Sequence, residues 1–333
     1  MKIAVLGSYG HVGVAIGPLA RNPDSMELVG ACPFGPDDKL PFVDNPDLDV
    51  PVFDDFQTML STASPDIVGI FTPLHLIAGH ARTALQAGAH VLCEKPLALS
   101  LDDLAALRRD AESSRRRVTA AFTMRQEPAF LAAKGAVVDG LIGRPLLAFA
   151  QKSYPFNQRD EYYKHRETYG GSIPWQAIHA IDFVRWISGR EYARAAAMHA
   201  NLAHPTHPGM EDAGGLLLEF ADGGQAVMSF DYLRPWPGGQ EENRPWGDDR
   251  LRLAGTDGVI EITCAGERAV LMTPEEVREL PLPRPRSLLE EMVASIQAGQ
   301  ADGGLVTTAD SFRVTEVALR ARDAADAGQI AAV

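Results

Sequence analysis

Three short stretches of the sequence carry residue types that can do chemistry. The first is GGSIPWQAIHAID, Gly170–Asp182, in which His179 and Asp182 interrupt an apolar run. An imidazole titrates near neutral pH and can hand a proton to or from a hydroxyl. A carboxylate three residues away on a helix lies within reach and can fix the ring's tautomer. On a helix from Trp175 to Ile187, at 100° per residue, Trp175, His179, Asp182 and Trp186 fall within about 60° of one another. The remaining positions are mostly Ala, Ile, Phe and Val, so this helix is expected to be buried nearly all round. Its polar face is either a pocket satisfied within itself or the wall of a site.

The second stretch is Glu94-Lys95-Pro96, directly after the apolar run His90–Cys93. Ligands of parallel sheets bind beyond the carboxyl ends of the strands, where Lys95 stands. A partly desolvated lysine can trade protons near neutrality. The alternative is a surface lysine paired to Glu94. Pro96 fixes the chain after it, and such a bond can be cis.

The third is GSYGHVG, Gly7–Gly13, with glycines at relative positions 0, 3 and 6. The dinucleotide fingerprint has them at 0, 2 and 5. The looser turn still lets backbone approach a pyrophosphate opposite a helix N-terminus. A glycine-rich turn without a ligand is the alternative, and its place after the first strand favours the nucleotide. An acid about 20 residues further on ordinarily holds the ribose. Here Pro33 takes that place, and Asp37, Asp38 and Lys39 follow in a loop. Either NAD or NADP is compatible, since no arginine is visible for a 2′-phosphate.

The elements that must position these stretches alternate. Strands are expected at Lys2–Leu6, Met26–Cys32, Ile67–Thr72, His90–Cys93 and Val118–Phe122. Helices are expected at His11–Arg21, Phe56–Ser61, Ile77–Ala87 and, capped by Ser100, Leu101–Ser113. This is the pattern of a parallel sheet covered on both faces. Seven further strands, from Leu146–Ser153 to Ala269–Met272, carry hairpin signals at Ala221–Gly224 and Gly255–Gly258 and predict an antiparallel sheet. Leu288–Gln297 and Ala309–Ala327 read as terminal helices, the last packing back towards the first domain. The expected class is α/β, with a dinucleotide-binding domain over residues 1–122 and a substrate and oligomerisation domain over 123–333. Pro235–Asp249 reads as a surface loop.

VGIFTPLHLIAGHARTALQAGAHVLCEKPLAL, with Thr72-Pro73, His75, Ala87-Gly88, His90-Val91 and Glu94-Lys95-Pro96, resembles the Gfo/Idh/MocA family. The family is named for glucose–fructose oxidoreductase, inositol dehydrogenase and a rhizopine-catabolism protein. The GG…H..D segment belongs to the same pattern, and the resemblance covers nearly the whole chain. It implies a Rossmann domain for NAD or NADP and a second domain with a large open, mainly antiparallel sheet, which often makes a dimer or tetramer contact. It further implies hydride transfer between the nicotinamide and a sugar, polyol or similar alcohol or carbonyl. On this basis Gly7, Ser8, Tyr9, Gly10, His11, Val12, Thr72, Pro73, His75, Glu94 and Lys95 are expected at the cofactor, and Lys95 and His179 at the chemistry. Many family members carry an Asp one turn before the His; here that place holds Trp175. An indole cannot act as a base but can stack on a sugar ring.

Trp175, Asp182, Arg125 and Tyr163 are expected at the substrate. Arg125 binds an anionic substrate or pairs with Glu127. Tyr163 belongs to a polar-aromatic loop, Tyr154 to Tyr169, that lines a pocket or makes a surface contact. His199, His204, His207, Glu211 and Asp212 match no metal spacing, and no metal is expected. Two rival functions on the same fold are a non-catalytic nucleotide-binding regulator and an NAD-using glycosidase.

The chain has 333 residues and a net charge of −13, which argues against nucleic acid and anionic membrane as partners. The three cysteines are far apart and fit a reducing cytoplasm. The N-terminal apolar run is too short and wrongly flanked for a signal peptide.

Overall fold

A computed structural model describes residues 1–333 except Pro23, Asp47, Asp49 and 236–246. The chain folds as two compact units, Met1–Thr123 with Ser287–Thr315, and Met124–Arg286 with Glu316–Val333.

The first unit alternates β1 (Lys2–Leu6), α1 (Gly13–Arg21), β2 (Glu27–Cys32), α2 (Phe56–Ala63), β3 (Ile67–Ile70), α3 (Leu74–Gln86), β4 (His90–Cys93), α4 (Leu101–Ser114) and β5 (Val118–Ala120). The strands pair in parallel in the order β2-β1-β3-β4-β5. An isolated parallel bridge from Ala31 to Val52 adds a vestigial strand outside β2. With it the order is that of the Rossmann fold, the third strand being reduced to one residue pair. Apart from Lys2, Glu27 and Val29, the strand residues are buried, as expected of a parallel sheet covered by helices on both faces. Helix ends obey their sequence signals. The Ser100 side chain accepts from the Asp103 amide at 3.0 Å to start α4, and Gly88 follows α3 with φ +88°. The later helix α8 (Leu288–Gln297; the intervening α5–α7 are in the second unit) packs on this unit through Leu289, Met292 and Val293.

The second unit contains α5 (Pro128–Val138), β6 (Pro145–Ser153), α6 (Arg166–Tyr169), α7 (Ile178–Ser188), β7 (Tyr192–Ala200), β8 (Ala213–Phe220), β9 (Gln225–Asp231), β10 (Arg250–Gly255), β11 (Val259–Thr263), β12 (Arg268–Met272) and β13 (Val277–Glu279). The helix α9 (Thr308–Ala327) and strand β14 (Ile330–Ala332) end the chain. The nine-stranded sheet runs β13-β12-β11-β10-β6-β9-β8-β7-β14. Every pairing is antiparallel except β6 with β9. Alternation along the strands buries Leu216, Leu218, Met228, Leu251 and Ile260, with α5 and α7 packed on the sheet. It leaves Phe149, Leu217, Val227, Met198 and Ile330 exposed.

Three features differ from the sequence expectation. Helix α5, opened by Pro128 at a position that needs no amide donor, and the short edge strands β13 and β14 were not foreseen. The helix expected from Trp175 to Ile187 is two elements, a π-turn over Ile173–Ala177 and α7. The loop expected at Pro235–Asp249 lies mostly outside the described residues. Among those described, no helix is long and apolar enough to cross a membrane.

Candidate active site

In the first unit the expected cofactor residues gather beyond the carboxyl ends of β1, β2, β3 and β4. The turn after β1 is held against β3, its Tyr9 amide donating to the Phe71 carbonyl at 2.8 Å. Gly7 has φ +80°, and a Cβ there would lie 2.2 Å from that same carbonyl oxygen. Gly10 has φ +59°, and its Cβ would meet Glu94 Oε1 at 2.2 Å. Both glycines are therefore required by the turn itself. Gly13 is different. A Cβ there would meet nothing within 4 Å, so this glycine leaves open space at the start of α1. That helix has no side-chain cap and no acid in its first turn. Open space before uncapped amides fits a bound pyrophosphate.

Glu94 is fully buried. Its Oε1 accepts from the His11 amide at 2.6 Å and from the His11 ring, and its Oε2 accepts from the Lys95 amide at 2.8 Å. Burial pushes its carboxyl up, but His11, the Lys95 charge and these hydrogen bonds outweigh that and hold it below the ordinary carboxylate value. Lys95 has no exposed surface, and the Lys95–Pro96 bond is cis. Thr72 and Pro73 are buried beside the end of β3, and Thr72 Oγ1 lies 3.4 Å from His80 Nδ1. His75 is exposed on the first turn of α3.

The loop after β2 brings an acid back to the glycine turn. Asp38 curls back so that Ser8, in the glycine turn, donates to its Oδ1. The Phe34 and Leu40 amides, at 3.3 and 3.2 Å, complete its shell. Burial raises the Cys32 thiol at the end of β2 to about 11, with Asp55, Asp54 and Asp38 adding to the rise. The end of β2 thus lies in a negative field, contrary to the reading in which Pro33 leaves it without an acid.

In the second unit His179 and Trp175 are almost wholly buried, 3% and 6% exposed. Tyr163 packs edge-on to Trp175, ring centroids 6.3 Å apart. Gln176 anchors the π-turn by donating to the carbonyls of Asp231 at 2.6 Å and Lys152 at 3.1 Å. Asp182 has a partner that the sequence did not suggest. Asp182 accepts from Arg125 Nε and Nη2 at 3.0 and 2.6 Å, and both side chains are 1% exposed. The Arg125 guanidinium also lies over Trp186, 5.4 Å from its centroid. The π-turn separates Trp175 from this ion pair, so the single polar face drawn on an ideal helix does not form. Arg125 and Asp182 face each other instead of open space.

The histidine-rich segment divides. Asp212 accepts from the amides of Leu202, Ala203 and His204 and from the His204 ring, which organises the loop. His199, Glu211 and Asp326 approach one another, but Arg166 bonds both carboxylates and already supplies a cation to them.

Residues 1–122 match the family model described as an oxidoreductase family with an NAD-binding Rossmann fold, and residues 130–261 match the GFO/IDH/MocA C-terminal domain. A solved structure from Thermotoga maritima, of a protein classed as an oxidoreductase, is 34% identical, with TM-score 0.91 over 100% of both chains. Among curated proteins, the Bacillus subtilis oxidoreductase YrbE, itself uncharacterised, is 30% identical over 61% of this chain and 57% of its own length. An inositol 2-dehydrogenase/D-chiro-inositol 3-dehydrogenase from Lactiplantibacillus plantarum is 25% identical over 78% of this chain and 71% of its own. The two family matches span the glycine turn, Glu94-Lys95-Pro96 and the segment bearing His179, and the chain belongs to the Gfo/Idh/MocA family of NAD-binding oxidoreductases.

Proposed function

We propose that this protein is an NAD(P)-dependent dehydrogenase or reductase acting on an alcohol or carbonyl of a sugar, polyol or related small molecule. The observation that carries the reading is Lys95, fully buried beyond β4, next to a glutamate that clasps the glycine turn. The amides at the start of α1, with Gly13, would hold the pyrophosphate, and Ser8 and Asp38 the ribose. A bound nicotinamide supplies the hydride acceptor or donor. The neutral Lys95 amine takes the hydroxyl proton in oxidation and its ammonium returns it in reduction, and His179 orients the substrate oxygen. Trp175 offers an apolar face to a sugar ring and no base. Relatives named for inositol oxidation support the polyol class. A second copy of the chain covers the open apolar face of the nine-stranded sheet around Phe149, Leu217 and Val227. Light scattering of a Phe149→Glu variant tests that arrangement, which requires a fall in mass.

The test of the activity is calorimetric binding of NAD(H) and NADP(H), followed by nicotinamide absorbance with a polyol and sugar panel. Lys95→Met should bind cofactor normally and lose on the order of 10²–10⁴-fold in rate. A Lys95→Met protein that turns over like the parent would remove the proposed chemistry.

A further inference from the structure

The second unit holds a guanidinium whose charge the described chain does not balance. Arg159 sits over three tyrosine rings, 4.8 Å from the centroid of Tyr232, 5.3 Å from Tyr163 and 5.8 Å from Tyr154. Its Nε is buried without a hydrogen-bond partner. Its one protein acceptor among the described residues is the Pro155 carbonyl, at 3.5 Å. No described carboxylate lies within 4 Å of it. Arg159 is itself half-buried, and the buried arginines are satisfied: Arg125 by Asp182, Arg117 by Ser295 and the Gln300 carbonyl, Arg190 by Asp222 and two carbonyls.

The cage cannot neutralise the charge. Burial raises the hydroxyl of Tyr232, the ring nearest the guanidinium, and that of the neighbouring Tyr169, so these two phenols carry no charge at neutral pH. Ring faces attract a cation but accept none of its five N–H donors. The nearby ammonium of Lys152, 5.6 Å from the Tyr154 centroid, is already paired with Asp249 at 2.7 Å. Among the described residues one fixed positive charge is therefore left over, in a setting where an unpaired ion is costly.

The cage also adjoins the candidate substrate wall. Tyr163 touches both the Arg159 guanidinium and Trp175. Tyr232 is joined through the Tyr169 hydroxyl to Ser172, at the foot of the π-turn. Gln176, on that turn, has a buried Oε1 without a partner, an acceptor suited to a hydroxyl.

We propose that Arg159 binds the carboxylate of the substrate, which narrows the related small molecules of the proposed function to a hydroxylated acid, such as a sugar acid. The planar fork of a guanidinium matches a carboxylate with two parallel hydrogen bonds. A single uncompensated charge calls for a monoanion more than for a phosphate dianion. The inference rests on the dehydrogenase reading for the word substrate, while the anion site itself does not.

The experiment is calorimetry on the protein saturated with NAD⁺, titrated with D-gluconate and D-glucuronate against D-glucitol and D-glucose, and with D-glucose 6-phosphate. The acids should bind about tenfold or more tighter than their neutral partners. Arg159→Gln should bring that ratio near one, and Arg159→Lys should leave part of it, with melting curves showing both variants folded. Equal binding of acids and neutral partners, no acid binding up to about 50 mM, preference for the phosphate, or a preference that survives in folded Arg159→Gln overturns the proposal. If neither nicotinamide cofactor binds, the dehydrogenase reading fails instead, and the same titrations on the cofactor-free protein still decide the anion site.

Discussion

The carboxylate of Glu94 grips His11 twice, through the backbone amide and through the ring, while its other oxygen holds the amide of Lys95. One buried side chain thereby ties the glycine turn to the residue proposed for proton transfer. Glu94→Gln keeps the shape but removes the charge. The folded-state carboxyl lies below its reference value of 4.5, so its stabilisation is present above that pH and is lost as the pH falls through the folded value. The melting temperature of the parent should drop below about pH 4.5 more steeply than that of the Gln variant. At pH 7 the variant should be less stable by about 1–3 kcal/mol. Melting curves from pH 3 to 7 check both statements.

Gly10→Ala and Gly13→Ala should part company. The first places a Cβ on Glu94 at a positive φ and should destabilise the fold by about 1–3 kcal/mol. The second enters open space within a helix and should leave stability unchanged or raised by about 0.5–1 kcal/mol. It should still weaken NADH by about tenfold, because the methyl stands where the pyrophosphate approaches. Paired denaturation and NADH titrations separate the two effects.

The proposed place of Asp38 at the ribose predicts a preference for NAD. Its carboxylate, held by Ser8 and two amides, can accept from a ribose 2′-hydroxyl and repels a 2′-phosphate. NADH should bind about tenfold or more tighter than NADPH, and Asp38→Ser should bring the two within about threefold. Fluorescence titration of both cofactors decides it; equal affinity in the parent would remove Asp38 from this role.

The Arg125–Asp182 pair should behave as a structural unit. Asp182→Ala leaves a buried guanidinium alone and should cost about 3–5 kcal/mol, whereas an Arg125→Met/Asp182→Leu double variant should recover most of it. Urea denaturation of the three proteins measures the difference. Recovery in the double variant would show that neither group is needed for its charge.

Much of this was legible in the sequence because it depends on local pattern. Short apolar runs alternating with capped helices specify the parallel sheet, and a strand end specifies the location of Lys95. What was not legible depends on chain path. A helical wheel assumes 3.6 residues per turn and so missed the π-turn at Pro174 that separates Trp175 from Asp182. The return of Asp38 to Ser8 spans a loop without periodicity. Arg125 finds Asp182 from 57 residues away. Arg159 went unnoticed because its three rings come from segments on either side of α7; the one available signal was a lone arginine within a run of tyrosines.

The parallel pairing of β6 with β9 governs how the second unit can assemble. Strands β7 to β9 form one meander and β10 to β13 another, each pairing neighbours in sequence. Strand β6 precedes both, yet its partners are β9 on one side and β10 on the other. It can be seated only after the chain has travelled through the whole aromatic segment, α7 and the first meander. Such a long loop makes this contact late and slow. β6 is therefore the keystone of the sheet: the meanders can nucleate separately, and its arrival fuses them into one cooperative body.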